Sequence, residues 1–194
     1  GPEQVLEVRK ALGLDKPLIV QYFTYLKDIL RLDLGDSIQT RQPVLDDIVR
    51  YLPVTLELVL LSFFIYAILG VLFGVIWARF PKNIFSKFLS LTSILGVAMP
   101  VFWVGLLLQL IFAAKLEWLP LAGNLQYQNF DITRYTGMGI LDSILSWNSE
   151  ALGAAILAVI LPVTTLVISQ IAIATRLTKS TVETELRQHY VRSA

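Results

Sequence analysis

The chain has 194 residues, of which 55% are hydrophobic and 16% are charged, and its mean hydropathy is +0.65. The charged share is well below the roughly 25% of an average soluble domain. A net charge of +1 gives no basic surface of the kind that attracts nucleic-acid phosphates. The sequence has no cysteine and a single histidine, His189, which excludes a disulfide framework, a thiolate metal site and a multi-histidine zinc site.

The first fifty residues predict a helical segment. Two amphipathic patterns lie on either side of Pro17: Val5, Val8 and Leu12 before it, and Tyr22, Leu26, Ile29 and Leu30 after it. The turn-rich stretch 34–43 ends at Pro43, which can begin a short helix. The sequence starts at Gly1 without methionine or a signal-peptide pattern and stops at Ala194 inside a helical pattern. We therefore expect an internal portion of a longer protein.

Three uncharged stretches, 58–78, 88–114 and 151–175, are each long enough to cross a bilayer, which takes about 20 apolar residues. Core helices of a soluble protein are the alternative, and three such runs in one short chain argue against it. Because backbone in lipid must satisfy its own hydrogen bonds, these stretches predict an all-α integral membrane protein. The predicted segments are 1–50, extracytoplasmic; 51–78, membrane helix; 79–87, cytoplasmic loop; 88–115, membrane helix; 116–150, extracytoplasmic loop; 151–175, membrane helix; and 176–194, cytoplasmic.

The orientation follows from the lysines and arginines, which favour the cytoplasmic side. The 79–87 loop carries three basic residues and no acidic one. The 176–194 tail is also basic, whereas acidic residues outnumber basic ones in the 116–150 loop. The 79–87 loop and the 176–194 tail are therefore predicted to be cytoplasmic.

No enzyme motif is present: the sequence lacks the phosphate-binding G-x-x-x-x-G-K-[ST] pattern and the G-x-S-x-G pattern. We predict a protein without catalytic residues, cofactor or metal. Glu57 stands near the outer end of the first span, and we expect its carboxylate to reach the outer interface. A functional role is the alternative, because an ionisable group inside the membrane is otherwise a candidate.

Glycine and proline interrupt the apolar stretches. Gly70 and Gly74 form a G-x-x-x-G pattern, which predicts close helix packing. Pro100 in "AMPVFWVG" lacks an N–H and predicts a bend, and Pro162 in "LPVTTL" repeats the situation. Polar residues follow the second proline: Thr164, Thr165, Ser169 and Gln170. Two bent helices with polar residues beyond the bend suggest a translocation path.

The stretch 175–194 is charged, lacks glycine and proline, and predicts a helix. Its apolar stripe consists of Leu177, Val182, Leu186, Tyr190 and Val191. The stripe is compatible with an exposed connector or with a cytoplasmic helix that docks on a partner protein.

Six stretches in sequence resemble the membrane permease subunits of binding-protein-dependent ABC importers, in the dipeptide/oligopeptide (and nickel) branch. They are "DLGDSIQTRQPV" at 33–44, "LPVTLEL" at 52–58, "AMPVFWVG" at 98–105, "EWLPLAG" at 117–123, "LPVTTL" at 161–166 and the tail at 175–194. The resemblance implies a fold of about six spans, with one before Gly1 and two after Ala194. It also implies a prokaryotic cytoplasmic (inner) membrane protein with several spans.

The resemblance further implies a homologous second permease subunit, two cytoplasmic ATPase subunits and an extracytoplasmic solute-binding protein. The tail matches the helix that couples such permeases to the ATPase, although Thr184 stands where the family usually has glutamate. The implied coupling residues are Glu183, Glu185, Leu186, Arg187, Tyr190 and Arg192. Residues implied beside the translocation path are Pro100, Phe102, Trp103, Pro162 and Gln170, with Phe102 and Trp103 filling the space around the bend.

The expected function is transport of peptides or a similar small solute, driven by ATP hydrolysis in partner subunits. A channel or membrane scaffold without ATPase partners is the alternative, and it would not need the charged tail.

Overall fold

The computed structural model describes residues 15–121, 130 and 132–186 of the chain. In these residues the regular elements are helices, apart from one isolated β-bridge between Asp36 and Pro43. The predicted helix with Val5, Val8 and Leu12 lies outside them, as do residues 187–194. The chain divides into two compact units, Gly1–Leu52 and Pro53–Ala194.

The first unit contains helix α1 (Leu18–Leu30), which begins directly after Pro17 as the sequence predicts. The turn-rich stretch that follows is closed by the bridge and by a hydrogen bond from Val44 N to the Gly35 carbonyl oxygen, at 2.9 Å. Gly35 has φ +69°, a conformation that glycine adopts without steric cost. Pro43 ends this turn, and the next helix begins directly after it.

Helix α2 (Val44–Arg79) is one continuous helix of 36 residues. Two acidic residues in its first turn, Asp46 and Asp47, and the basic Arg79 in its last turn suit the helix dipole. The short helix expected after Pro43 and the membrane helix expected from residue 51 are therefore one element. Pro53 lies inside α2 without ending it.

The second apolar stretch forms three helical pieces. Helix α3 (Ile84–Ala98) starts after Asn83, whose Oδ1 accepts a hydrogen bond from Phe85 N at 3.2 Å and caps the helix. Helix α4 (Val101–Leu108) starts after Pro100 and continues into a π-helical segment (Gln109–Lys115). The predicted single helix 88–115 therefore starts earlier and is interrupted at Met99–Pro100.

Two further helices complete the described chain. Helix α5 (Gly139–Leu145) lies in the stretch 116–150, where the sequence analysis expected only a loop. Helix α6 (Ser149–Leu186) has 38 residues, and Asn148 Oδ1 caps it by accepting a hydrogen bond from Ala151 N at 3.0 Å. It contacts α3, α4 and α5.

Helix α6 is longer than the membrane segment predicted for it. Pro162 lies inside it without ending it. Its neighbours Leu161 and Val163 are buried, and this packing holds the helix together despite the missing N–H. Helix α6 also continues past residue 175, where the predicted membrane segment ends and the predicted cytoplasmic segment begins, because no glycine or proline stands there to end it.

Small residues bring the apolar helices close to α6. A Cβ on Gly70 would lie 2.5 Å from the Ala174 Cβ, and one on Gly74 would lie 2.5 Å from the Thr178 Cβ. Glycines of the broken stretch face α6 as well: Gly96 faces Ala172, and Gly105 faces Thr165. Close backbone approach over small residues is the usual mode of helix packing in membranes, where lipid is as apolar as the helix surfaces.

By length and apolar composition, two helices of the described chain can cross a membrane, α2 and α6. Many large apolar side chains on them are exposed, among them Phe64, Ile68, Val71, Ile173 and Leu177. Exposed apolar surface of this extent indicates contact with lipid or with other apolar helices.

Candidate functional site

The break at Pro100 changes the chain direction without regular helical bonding. Pro100 has φ −63° and ψ +136°, so its backbone is extended. Its carbonyl oxygen then accepts hydrogen bonds from Trp103 N at 3.0 Å and Val104 N at 3.2 Å, which start α4. The break therefore has a defined geometry that separates α3 from α4.

A cavity of about 570 Å3 lies beside α4, between it and α6. Its walls include Phe102, Gly105 and Leu106 of α4 and Leu161, Pro162 and Thr165 of α6. We call it the α4 cavity. Most of its lining is apolar. Thr165 Oγ1 donates to the Leu161 carbonyl oxygen at 2.8 Å, which leaves the hydroxyl able to accept a further hydrogen bond.

A second cavity of about 350 Å3, the α3 cavity, lies on the other side of the break. Its lining includes Phe88, Thr92, Gly96 and Met99 of the broken stretch, together with Thr175 of α6. The same face of α6 lines both cavities. In the broken stretch, the α3 cavity is lined by residues before Pro100 and the α4 cavity by residues after it.

The structure brings two of the five predicted path residues to one place, because Phe102 and Pro162 both line the α4 cavity. Trp103, Gln170 and Pro100 do not line it. Phe102 is 68% exposed and Trp103 is also exposed, so neither aromatic side chain is buried against the described part of this chain.

Glu57 of α2 binds the beginning of α5. Its Oε2 accepts a hydrogen bond from Gly139 N at 3.0 Å and its Oε1 accepts one from Ile140 N at 2.7 Å. The first N–H groups of a helix have no partner within it, so the carboxylate supplies the acceptors that they need. Glu57 is only 6% exposed, so its carboxylate is bound by the start of α5 and not by water.

Asp142 closes the turn that precedes α5. Its Oδ1 accepts hydrogen bonds from Thr136 N and Thr136 Oγ1, both at 2.8 Å, and its Oδ2 accepts one from Gly137 N at 2.9 Å. Gly137 has φ +78° and packs on Pro53, which is one turn before Glu57 on the same face of α2. Together these residues fix α5 to α2; we call them the α5 cap.

The sequence analysis did not identify the α5 cap. The available signal was the isolation of the two carboxylates: each stands alone in an aliphatic stretch, "LPVTLELVL" and "GILDSIL". A lone acid in such surroundings is either buried with several hydrogen-bond donors or functional.

The C-terminal part of α6 carries the predicted coupling residues. Glu183 forms an ion pair with Lys179, with Oε1 at 3.1 Å from the Lys179 Nζ. The same ammonium group lies 4.9 Å from the centre of the Trp77 ring of α2. Glu185 and Leu186 are exposed at the end of the described helix. The other three, Arg187, Tyr190 and Arg192, lie outside the described residues.

In residues 15–121 and 132–186, no group of three or more His, Asp or Glu side chains is placed to hold a metal ion. The carboxylates of Glu57 and Asp142 are instead used by backbone and hydroxyl donors.

Residues 70–194 match the protein family described as the binding-protein-dependent transport system inner membrane component. Residues 1–59 match a second family, described as the N-terminal part of the membrane component of binding-protein-dependent transport systems. The first match covers more than half of the chain and includes α3 to α6 and most of the lining of both cavities.

Similar curated proteins are named as peptide permeases. The chain is 35% identical over 193 residues to the dipeptide transport system permease protein of Alkalihalophilus pseudofirmus and to the di/tripeptide transport system permease protein of Pseudomonas aeruginosa. It is 33% identical over 190 residues to the probable D,D-dipeptide transport system permease protein of Escherichia coli. These matches cover 98–100% of this chain but only 56–58% of each relative.

Proposed function

This chain belongs to the family of inner membrane components of binding-protein-dependent transport systems, and we propose that it forms one side of a path for peptides or a similar small solute. The observation that carries the proposal is the helix break at Pro100 between two cavities on one face of α6. Non-helical backbone at membrane depth is tolerated only where protein or water surrounds it. The names of the relatives support peptides as the solute class.

The proposed topology has three membrane crossings in this chain. Helices α2 and α6 run parallel, because Gly70 meets Ala174 and the later Gly74 meets the later Thr178. The chain between them must therefore return across the same distance. The broken stretch does run antiparallel to α6: Gly96 faces Ala172, and the later Gly105 faces the earlier Thr165. In the whole protein we propose about six spans.

Labelling of single cysteines tests this topology on a chain that has no cysteine of its own. With Ile38→Cys (97% exposed) and Tyr135→Cys, we expect a membrane-impermeant maleimide to react from outside intact cells. Lys82→Cys should react only after the cytoplasmic face is opened. Labelling of Lys82→Cys in intact cells, or protection of both other positions, would reverse the orientation drawn from the charge bias.

The energy for transport is proposed to come from two cytoplasmic ATPase subunits, which act on this chain and on a homologous second permease subunit. An extracytoplasmic solute-binding protein delivers the solute. The proposed contact with the ATPase is the end of α6 and the residues that follow it. Leu186 and Tyr190 are four residues apart and would share one face if the helix continues.

Truncating this contact should uncouple transport. Leu186→Ala with Tyr190→Ala removes an aliphatic and an aromatic anchor, and loss of such an anchor typically costs about 2 kcal/mol, or roughly thirtyfold in affinity. We expect normal membrane insertion, weaker retention of the ATPase and loss of ATP-driven uptake in vesicles that contain the complete complex.

Thr181→Ala is the matched control, since Thr181 is exposed on the same helix and bonds only its own helix, at the Leu177 carbonyl oxygen. Full coupled uptake by the double variant would mean that this end of the chain is a connector. Solute movement without any ATPase subunit would favour a channel.

A further inference from the structure

A third cavity, of about 600 Å3, lies where the C-terminal parts of α2 and α6 meet. It is lined by Trp77 of α2 and by Ile173, Arg176, Leu177, Lys179 and Ser180 of α6. It is separate from the α3 and α4 cavities, with which it shares no lining residue. The proposed transport path does not use it.

One side of this cavity is apolar. Ile173 and Leu177 are one helical turn apart, and both are exposed, Leu177 to 67%. They continue the apolar surface of α6 from the stretch that is long and apolar enough to cross a membrane. An apolar side wall of this kind suits an acyl chain that lies along the helix.

The other side is basic. Arg176 and Lys179 are part of the lining, and the Lys179 ammonium group lies 4.9 Å from the centre of the Trp77 ring. Tryptophan is enriched at the membrane–water boundary, where its ring lies at the level of the lipid headgroups. Arginine and lysine donate strong charge-assisted hydrogen bonds to phosphate oxygens. Basic residues also dominate the neighbouring stretch, with Arg79, Lys82 and Lys87 and no acidic residue between positions 79 and 87.

We propose that this cavity binds the headgroup phosphate of an acidic phospholipid of the inner leaflet, with one acyl chain along Ile173 and Leu177. The proposal rests on the proposed topology, which places this end of α6 at the cytoplasmic side. Along α6 the apolar Ile173 comes first and the cationic Lys179 comes later, next to the Trp77 ring of α2, so the apolar-to-charged direction matches that from acyl chain to headgroup in a phospholipid. Basic pockets between membrane helices on the cytoplasmic side are sites where acidic headgroups bind.

The proposal also predicts one substitution, at Glu183, that strengthens lipid binding. The Glu183 carboxylate holds the Lys179 ammonium at 3.1 Å and therefore competes with the phosphate for that cation. Removing the competing charge should strengthen lipid binding, whereas removing either cation should weaken it.

The test uses the complete transporter in lipid nanodiscs of phosphatidylcholine with a minor share of phosphatidylglycerol. Native mass spectrometry measures how much phosphatidylglycerol the complex retains. We expect Arg176→Gln and Lys179→Gln each to lower its apparent affinity about fivefold. Glu183→Gln should raise it, and Lys115→Gln, at an exposed cation outside the cavity and its basic surroundings, should leave it unchanged.

Three results would overturn the proposal. Equal retention in the wild type and the Arg176→Gln/Lys179→Gln double variant would mean that protein, not lipid, covers the cavity. Displacement of phosphatidylglycerol by inorganic phosphate alone would make it a simple anion site. Reduced retention in Glu183→Gln would contradict the competition. Lipid retention is measured independently of transport. If the complex transports peptide but fails this test, the lipid site is refuted and the proposed function is not.

Discussion

Replacing Gly74 with leucine is expected to prevent the folded contact between α2 and α6. A Cβ at this position would lie 2.5 Å from the Thr178 Cβ and 2.8 Å from the backbone oxygen of Thr175. A flexible side chain could turn away, but a helical backbone oxygen cannot, so the two helices would have to separate. Overpacking a tight core costs about 1–3 kcal/mol, and a clash with backbone belongs at the upper end or above it.

The measurement is the midpoint of thermal unfolding of the detergent-solubilised transporter, followed by size-exclusion chromatography. Gly153→Leu is the matched control: Gly153 is also inside a long apolar helix, but a Cβ there meets nothing within 4 Å. We expect Gly74→Leu to be recovered poorly or to unfold at much lower temperature, and Gly153→Leu to behave like the wild type. Equal stability of the two variants would contradict the close approach of α2 to α6.

The sequence was sufficient to predict the long apolar helices, because their signals are local, but not α5 or the continuity of α2. Pro43 marks the start of a helix, and the long uncharged run 58–78 follows it in the same element. The G-x-x-x-G at Gly70 likewise predicts close packing from spacing alone. The partner of that packing could not be predicted, since it depends on which turn of α6 lies opposite.

The two prolines show where local signals stop being sufficient. Pro100 and Pro162 both lack the N–H that would bond the residue four positions earlier. For Pro100 that residue is Gly96, itself a weak helix former, and the helix ends at Ala98. For Pro162 it is Ala158, which is buried, as are Leu161 and Val163, and α6 remains continuous. The two prolines thus differ in their surroundings, and the sequence pattern alone does not distinguish them.

The α5 cap was beyond prediction for a similar reason. Helix α5 has only seven residues, too few to be stable by themselves, and it depends on acceptors from Glu57, more than eighty residues earlier in the chain. The sequence shows Glu57 as one charge in an apolar run, and nothing in that run indicates which backbone it meets. A membrane location suggests function for such a carboxylate, whereas its contacts here are with the start of α5.

Replacing Asp142 with alanine is the second substitution for which we expect a large effect. Asp142 is 1% exposed and accepts three hydrogen bonds, from Thr136 N, Thr136 Oγ1 and Gly137 N. A hydrogen bond to a charged group contributes about 1.5–3 kcal/mol, and water can reach the exposed Thr136 in the variant, so the total loss should be about 3 kcal/mol. The turn would open, and Gly137 would lose its position on Pro53.

A graded series separates this mechanism from a general effect of charge. Asp142→Asn keeps an acceptor for Thr136 but presents an NH₂ group to Gly137 N, so its unfolding midpoint should fall between those of the wild type and Asp142→Ala. Glu150→Ala removes an exposed carboxylate from the first turn of α6 and should cost less than about 1 kcal/mol. If Asp142→Ala were no less stable than Glu150→Ala, the three hydrogen bonds would not hold the turn. The attachment of α5 would then depend on Glu57 and on packing against α6 alone.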